Sequence, residues 1–212
     1  MRISSAERKQ HLIKATVALM RAKGVQSLNL RAIATEAGAS LATVYYCFDS
    51  KEDLLSNAVE YWLRRMVEIP DTAKTNKGPL GLVKTVLRIA EEYWTNLVND
   101  PQDVLGQIEL VLWAVRQSSS DALAKRIYER YMATLGDIFT NAVAVSGETS
   151  TWDPQELARA FIALVDGASL QFIADPTATG HRERFFRALL LILADSVDSD
   201  RKGREGELGE EG

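Results

Sequence analysis

Residues 41–51, Leu-Ala-Thr-Val-Tyr-Tyr-Cys-Phe-Asp-Ser-Lys, gather hydroxyls, aromatic rings and a cation into one short stretch. At about 100° per residue on a helix, Val44 and Phe48 fall on one side while Ala42, Tyr45 and Tyr46 collect on the other. The first side suits a core. The second offers chemistry that fits a nucleic-acid duplex: the hydroxyls of Thr43 and Tyr45 can donate to phosphate, and Lys51 brings a charge to the backbone. Tyr46, Ala42 and Leu41 can meet base edges, where a thymine methyl accepts apolar contact. Packing between helices is the competing use of the two tyrosines.

The elements that must hold these groups are legible on either side. Asn29 to Ala37 has helical periodicity and stops at Gly38, the residue best able to take the left-handed conformation that closes a helix. Ser40 can then cap the next helix. Helix, glycine turn and second helix form the helix-turn-helix plan, whose second helix enters the major groove. Arg31, at the front of the first of the two, reaches either a guanine edge or a phosphate. A support helix is predicted from Ala6 to Lys23, with Leu12, Ile13, Thr16, Val17, Leu19 and Met20 on one stripe and Gly24 ending it. Ser50-x-x-Asp53 resembles a capping box that opens a fourth helix over 51–69. Its stripe runs through Leu54, Leu55, Ala58, Val59, Trp62, Leu63, Met66 and Val67 to Pro70, and 71–79 reads as a loop.

The pattern Arg31-x-Ile33-Ala34-x3-Gly38-Ala39-Ser40-x2-Thr43-Val44-Tyr45-x2-Phe48-x-Ser50-Lys51-Glu52-x-Leu54 resembles the N-terminal DNA-binding domain of the tetracycline-repressor-like (TetR) regulators. The resemblance covers roughly residues 7–60. It implies a dimer on a near-palindromic double-stranded DNA operator, with DNA contacts from Arg31, Ser40, Leu41, Ala42, Thr43, Tyr45, Tyr46 and Lys51. It also implies a C-terminal domain that binds a small effector and releases the operator. Two positions depart from the family. Cys47 stands where His is usual, which removes a phosphate contact, and Leu41 stands where Lys, Gln or Arg is frequent, which moves specificity toward methyl contacts and groove shape.

Charge is distributed to match. Residues 1–51 carry eight Lys/Arg against Glu7, Glu36 and Asp49, a net of +5, so the rest of a chain of net charge −4 carries −9. A basic head on an acidic body meets phosphate with one end only. The 212 residues suffice for one large domain or two small ones. We divide them into a DNA-binding domain over 1–51 with the fourth helix as connector, an effector-binding and dimerisation domain over 70–198, and a glycine-rich, charged tail over 199–212 expected to be disordered.

Beyond the head, helical segments are expected near 80–99, 102–118, 120–146, 154–175 and 181–197, so the fold class is all-α: a three-helix DNA-binding domain plus a helical bundle. Two segments, Leu157 to Ala174 and Phe185 to Ala194, are apolar nearly all round and need cover on every side. Two readings supply it: a homodimer joined by a four-helix bundle, two helices from each copy, or burial of both helices within a monomer. Candidate effector contacts are the rings and lone charges on apolar helices: Tyr93, Trp94, Glu109, Trp113, Arg116, Asp166, Gln171 and Phe172. Glu109, Trp113 and Arg116 share a helical face, giving a ring flanked by an acid and a base. The bland alternatives are core packing for the tryptophan, an ion pair or solvent for Glu109 and Arg116, and a bond across the dimer interface for Asp166.

Other function classes find little support. His11 and His181 are isolated, and no paired-His metal spacing, phosphate loop or nucleophile elbow occurs, so no enzyme, cofactor or metal is expected. A helical protein-interaction module would not need the basic head and the hydroxyl-rich face. Cys47 is the sole cysteine, which excludes an internal disulfide and makes a half-buried packing role the expectation. The longest unbroken apolar run, Ala188 to Ala194, falls short of a bilayer span, and Glu7, Arg8, Lys9 and Gln10 interrupt any leader, so the expected location is cytoplasmic. Repression and activation are not distinguished by residues alone, and repression is the expectation because a dimer that blocks a promoter needs no polymerase contact surface, with activation as the alternative.

Overall fold

Ser4 opens the first helix with a complete capping box: its hydroxyl accepts from Glu7 N–H at 3.1 Å while Glu7 Oε2 accepts from Ser4 N–H at 2.7 Å. In the computed structural model, which describes residues 4–67, 80–116, 121–147, 150 and 152–195, every element is helical. In order these are α1 (Ser5–Lys23), a 3-10 turn (Val25–Ser27), α2 (Leu30–Glu36), α3 (Leu41–Cys47), α4 (Lys51–Val67), α5 (Leu82–Asn99), α6 (Pro101–Arg116), α7 (Asp121–Ser146), α8 (Pro154–Ala174) and α9 (His181–Asp195). The expected helices all occur, with ends within two residues of those read from the sequence. The 3-10 turn was not foreseen. The proposed loop over 71–79 and the tail over 199–212 lie outside the described residues, as do the side chains of Met66 and Val67.

Packing divides the chain into two units: residues up to 68 with Thr95–Arg130, and Ile69–Trp94 with the chain from Tyr131 onward. One boundary falls after residue 68, and the others fall inside α5 and α7. In the N-terminal unit α1 is the central post, packed against α2, α3, α4 and α6. Its buried side chains Leu12, Ile13, Val17, Leu19 and Met20 belong to a core that includes Ile33, Val44, Phe48, Leu54 and Leu55. A bidentate Arg130–Glu60 pair adds a surface tie at 2.6 and 3.2 Å.

In the other unit α8 pairs with α9. Asp153 caps α8 with Pro154 as its first residue, the start expected from that dipeptide. By length and composition α8 is apolar enough to cross a bilayer. Its buried residues, Leu157, Ala158, Phe161, Ile162 and Val165, nevertheless form one stripe, and Phe161 meets Phe139 of α7 edge to face.

Candidate functional site

The turn between α2 and α3 sets the reading face. Gly38 takes φ +58°, its N–H donates to Thr35 O at 3.0 Å, and Ala39 N–H donates to Ala34 O at 2.9 Å. This is the Schellman closure that a glycine at the end of α2 predicts. Ser40 then caps α3, accepting from Thr43 N–H at 3.1 Å, and its hydroxyl also bonds the Thr43 hydroxyl at 2.9 Å. His11 Nε2 lies 2.9 Å from Ala37 O, which ties the end of α2 to α1.

With Val44 and Phe48 buried, the opposite side of α3 is open. Tyr45 is 62% and Tyr46 73% exposed, so neither is used for packing between helices. Arg31, Ser40 and Ala42 are exposed beside them, and Leu41, Thr43 and Cys47 are half-buried. Seven of the eight residues expected at DNA thus sit on or beside one surface built by α2 and α3.

Lys51 is different. Its Nζ donates to Leu28 O at 2.8 Å and sits 4.7 Å from the centre of the Trp113 ring. Desolvation in that half-buried niche pulls the ammonium below the usual lysine range, against a smaller opposing effect of Glu52. The charge expected to project toward phosphate is turned onto the protein.

The partners of Lys51 correct the expected effector cluster. Glu109 accepts from Val25 N–H at 3.1 Å, at the start of the 3-10 turn, and Trp113 backs Lys51 at its end. Arg116 is exposed, and among the described residues no ion pair joins it to Glu109. The three do not form a ring flanked by an acid and a base. Glu109 and Trp113 are instead part of a stripe on α6, with Asp103 and Gly106, that faces α1, α4 and the 3-10 turn within the N-terminal unit. Asp103 Oδ1 accepts from Trp62 Nε1 at 3.1 Å and lies 3.8 Å from Arg21 Nε, while Gly106 abuts Met20. The physical reason is a backbone requirement: the turn after Gly24 leaves an N–H and a carbonyl that need partners, and the Glu109 carboxylate of α6 takes the N–H while the Lys51 ammonium, backed by the Trp113 ring, donates to the carbonyl. A hydrogen bond to a charged acceptor of this kind contributes about 1.5–3 kcal/mol.

The remaining candidates lie in the C-terminal unit. Tyr93 donates to or accepts from Ser169 Oγ at 2.8 Å, and Ser169 also bonds Val165 O at 2.7 Å. Burial raises the Tyr93 phenol well above the ordinary tyrosine range, with the nearby Asp166 charge adding to the rise and the Ser169 bond opposing it. Trp94 is buried against Phe185 and Phe172, and Phe172 meets His181 edge to face. Trp94 is therefore a core ring backing the others. Asp166 is half-buried and Gln171 is exposed. Gln171 lines a groove of about 250 Å³ between α8 and α9, with Ala163, Gly167, Ala168, His181 and Arg184 among its walls. The sequence did not single out Arg88 of α5, whose Nε is buried with no hydrogen-bond partner among the described residues. Nothing in its local pattern marks it, because the signal is the absence of a tertiary acceptor. No group of three metal-ligating side chains occurs among the described residues.

Comparison with known proteins gives a consistent picture. A profile of bacterial regulatory proteins of the tetR family matches residues 12–58, and one of BetI-type transcriptional repressor C-terminal domains matches 84–198. The chain is 33% identical over 184 residues to the HTH-type nicotine-responsive transcriptional repressor HdnoR of Paenarthrobacter nicotinovorans, covering 86% of this chain and 92% of that protein. Among solved structures, a TetR-family regulator from Rhodococcus sp. superposes with a TM-score of 0.72 at 21% identity, covering 88% of this chain and 98% of that one. The multidrug binding protein EbrR complexed with ethidium superposes with a TM-score of 0.64 at 24% identity, covering 88% and 98%.

Proposed function

The chain belongs to the TetR family of bacterial transcriptional regulators, and from that premise we propose that it is a dimeric, effector-released repressor rather than an enzyme. In this reading it acts in the cytoplasm on a near-palindromic operator. The observation that carries DNA reading is the exposure of both Tyr45 and Tyr46 on α3 while Val44 and Phe48 alone supply its core contact. Two adjacent rings left in water at that level suit contact with a partner outside the fold. Tyr46, Ala42 and Leu41 read bases, whereas Thr43, Tyr45, Ser40 and Arg31 hold the backbone. Lys51, with its ammonium on Leu28 and Trp113, serves to place the head rather than to grip phosphate.

The dimer is supported by what α8 and α9 leave uncovered. Leu170, Leu190 and Leu191 are half to two-thirds exposed, and Gly167 meets nothing that a Cβ would touch. Small residues beside protruding leucines suit close helix packing against a second copy. The expected effector is a small molecule with an aromatic body and a basic amine. Asp166 acts electrostatically on Tyr93, Phe172 belongs to the same unit, and the HdnoR relative is named for its response to nicotine, which supports rings and a counter-charge as the recognition chemistry.

The deciding experiment is in vitro selection of duplexes from a random pool, followed by mobility shift of the enriched sequence with and without nicotine. A palindromic consensus whose complex weakens with salt and dissolves on adding nicotine is the expected result. Failure to enrich any sequence overturns operator binding. An enriched complex indifferent to nicotine removes that compound and leaves the DNA-binding reading standing.

A further inference from the structure

We propose that Glu109 and Trp113 of α6 are positioning residues that clamp both ends of the Gly24–Leu28 turn and so fix the direction in which α2 and α3 leave α1. The pair stands one helical turn apart. Glu109 takes the N–H of Val25, where the turn begins, and Trp113 holds the Lys51 ammonium on the carbonyl of Leu28, where it ends. An anion at the amino end and a cation at the carboxyl end of the same short helical turn match its backbone polarity. The next residue, Asn29, caps α2 by accepting from Ala32 N–H at 2.9 Å. A shift of the turn is therefore passed to the helix-turn-helix without an intervening flexible residue.

Two independent features indicate that the junction has little play. Gly24 has φ +72°, and a Cβ there would stand 2.9 Å from Glu109 Oε2, so any larger residue would push the carboxylate off its place on the turn. Lower on the same helix, Asp103 receives Trp62 of α4 and neighbours Arg21 of α1, whose guanidinium also pairs with Asp100 at 2.6 Å. The lower anchors hold α6 to the support helices, and the upper pair reaches the turn. Helix α6 also lies within the stretch matched by the C-terminal repressor profile while packing in the N-terminal unit. A change in α6 thus has a handle on the reading helices at two points, directly on the turn through Glu109 and through Lys51 at the start of α4.

The consequence for DNA rests on the repressor reading, whereas the clamp itself does not. Hydrogen exchange and DNA affinity, measured on the full chain, separate the two. In Glu109→Ala the Val25 amide should exchange about tenfold faster or more, the lower end for losing a charge-assisted bond, while amides in the middle of α1 keep their protection. Glu109→Gln, which retains an acceptor oxygen, should restore most of that protection, and Trp113→Phe should stay closer to wild type than Trp113→Ala.

Affinity for the duplex selected by the wild type should fall about tenfold in Glu109→Ala at an unchanged salt slope, since no phosphate contact is removed. Unchanged Val25 exchange in Glu109→Ala overturns the clamp. Faster exchange with undiminished affinity overturns its role in placing α2 and α3. A wild-type protein that selects no duplex counts against the repressor reading, and the exchange arm still decides the clamp.

Discussion

Helices α3 and α6 carry the same kind of signal, aromatic and polar residues on an otherwise apolar helix, and the fold uses them in opposite ways. On α3 the rings of Tyr45 and Tyr46 face water and the core side is satisfied without them. On α6 Glu109 and Trp113 face inward, onto the backbone of a turn 84 residues away and onto Lys51. The outward group is expected to meet DNA; the inward group completes the unit that presents it. An unusual residue on a helix therefore reports an unusual neighbour, and only the neighbour says whether that is a ligand or the protein's own backbone.

The sharpest way to break this comparison is to remove both rings of α3. The double variant Tyr45→Ala, Tyr46→Ala should lose about 100-fold in affinity for the selected duplex, as two contacts of ~1–3 kcal/mol imply, while its Tm stays close to wild type. A drop in Tm without loss of affinity would mean that the rings serve the fold.

A smaller contrast lies between two glycines with positive φ. Gly24→Ala meets both the backbone penalty and the Glu109 carboxylate, and should cost about 2 kcal/mol, some 4–8 °C in Tm. Gly38→Ala has open space for the new Cβ and should cost only the backbone part, about 1 kcal/mol. A Glu109→Ala background that leaves the Gly24→Ala loss unchanged would show that the carboxylate moves aside freely.

The least effect is expected at Tyr93, the buried phenol of the C-terminal unit. Its folded pKa is raised, so the stability it contributes is complete below the unfolded value near 10 and is lost as pH climbs above that. Tyr93→Phe should be destabilised by about 1 kcal/mol at neutral pH, because Ser169 keeps its bond to Val165 O. Denaturant melts from pH 8 to 11 should show the wild type losing more stability above pH 10 than the variant does. Parallel curves would contradict the buried-phenol assignment.

The sequence by itself determined the helices, the left-handed closure at Gly38, the Ser40 cap and the two sides of α3. All of these depend on periodicity and turn chemistry within a few residues, which the chain carries locally. It also exposed the chemistry of Tyr45 and Tyr46, because Val44 and Phe48 already account for the buried side. Only the tertiary structure decided where the polar residues of α6 point and what Lys51 holds. Those contacts join residues 23–84 positions apart, and a carboxylate, a ring or an ammonium is equally suited to a ligand, to water or to an unsatisfied backbone group. Which of these it meets is set by the face that α6 presents to α1 and to the turn after Gly24. That choice is made by packing, and no local pattern records it.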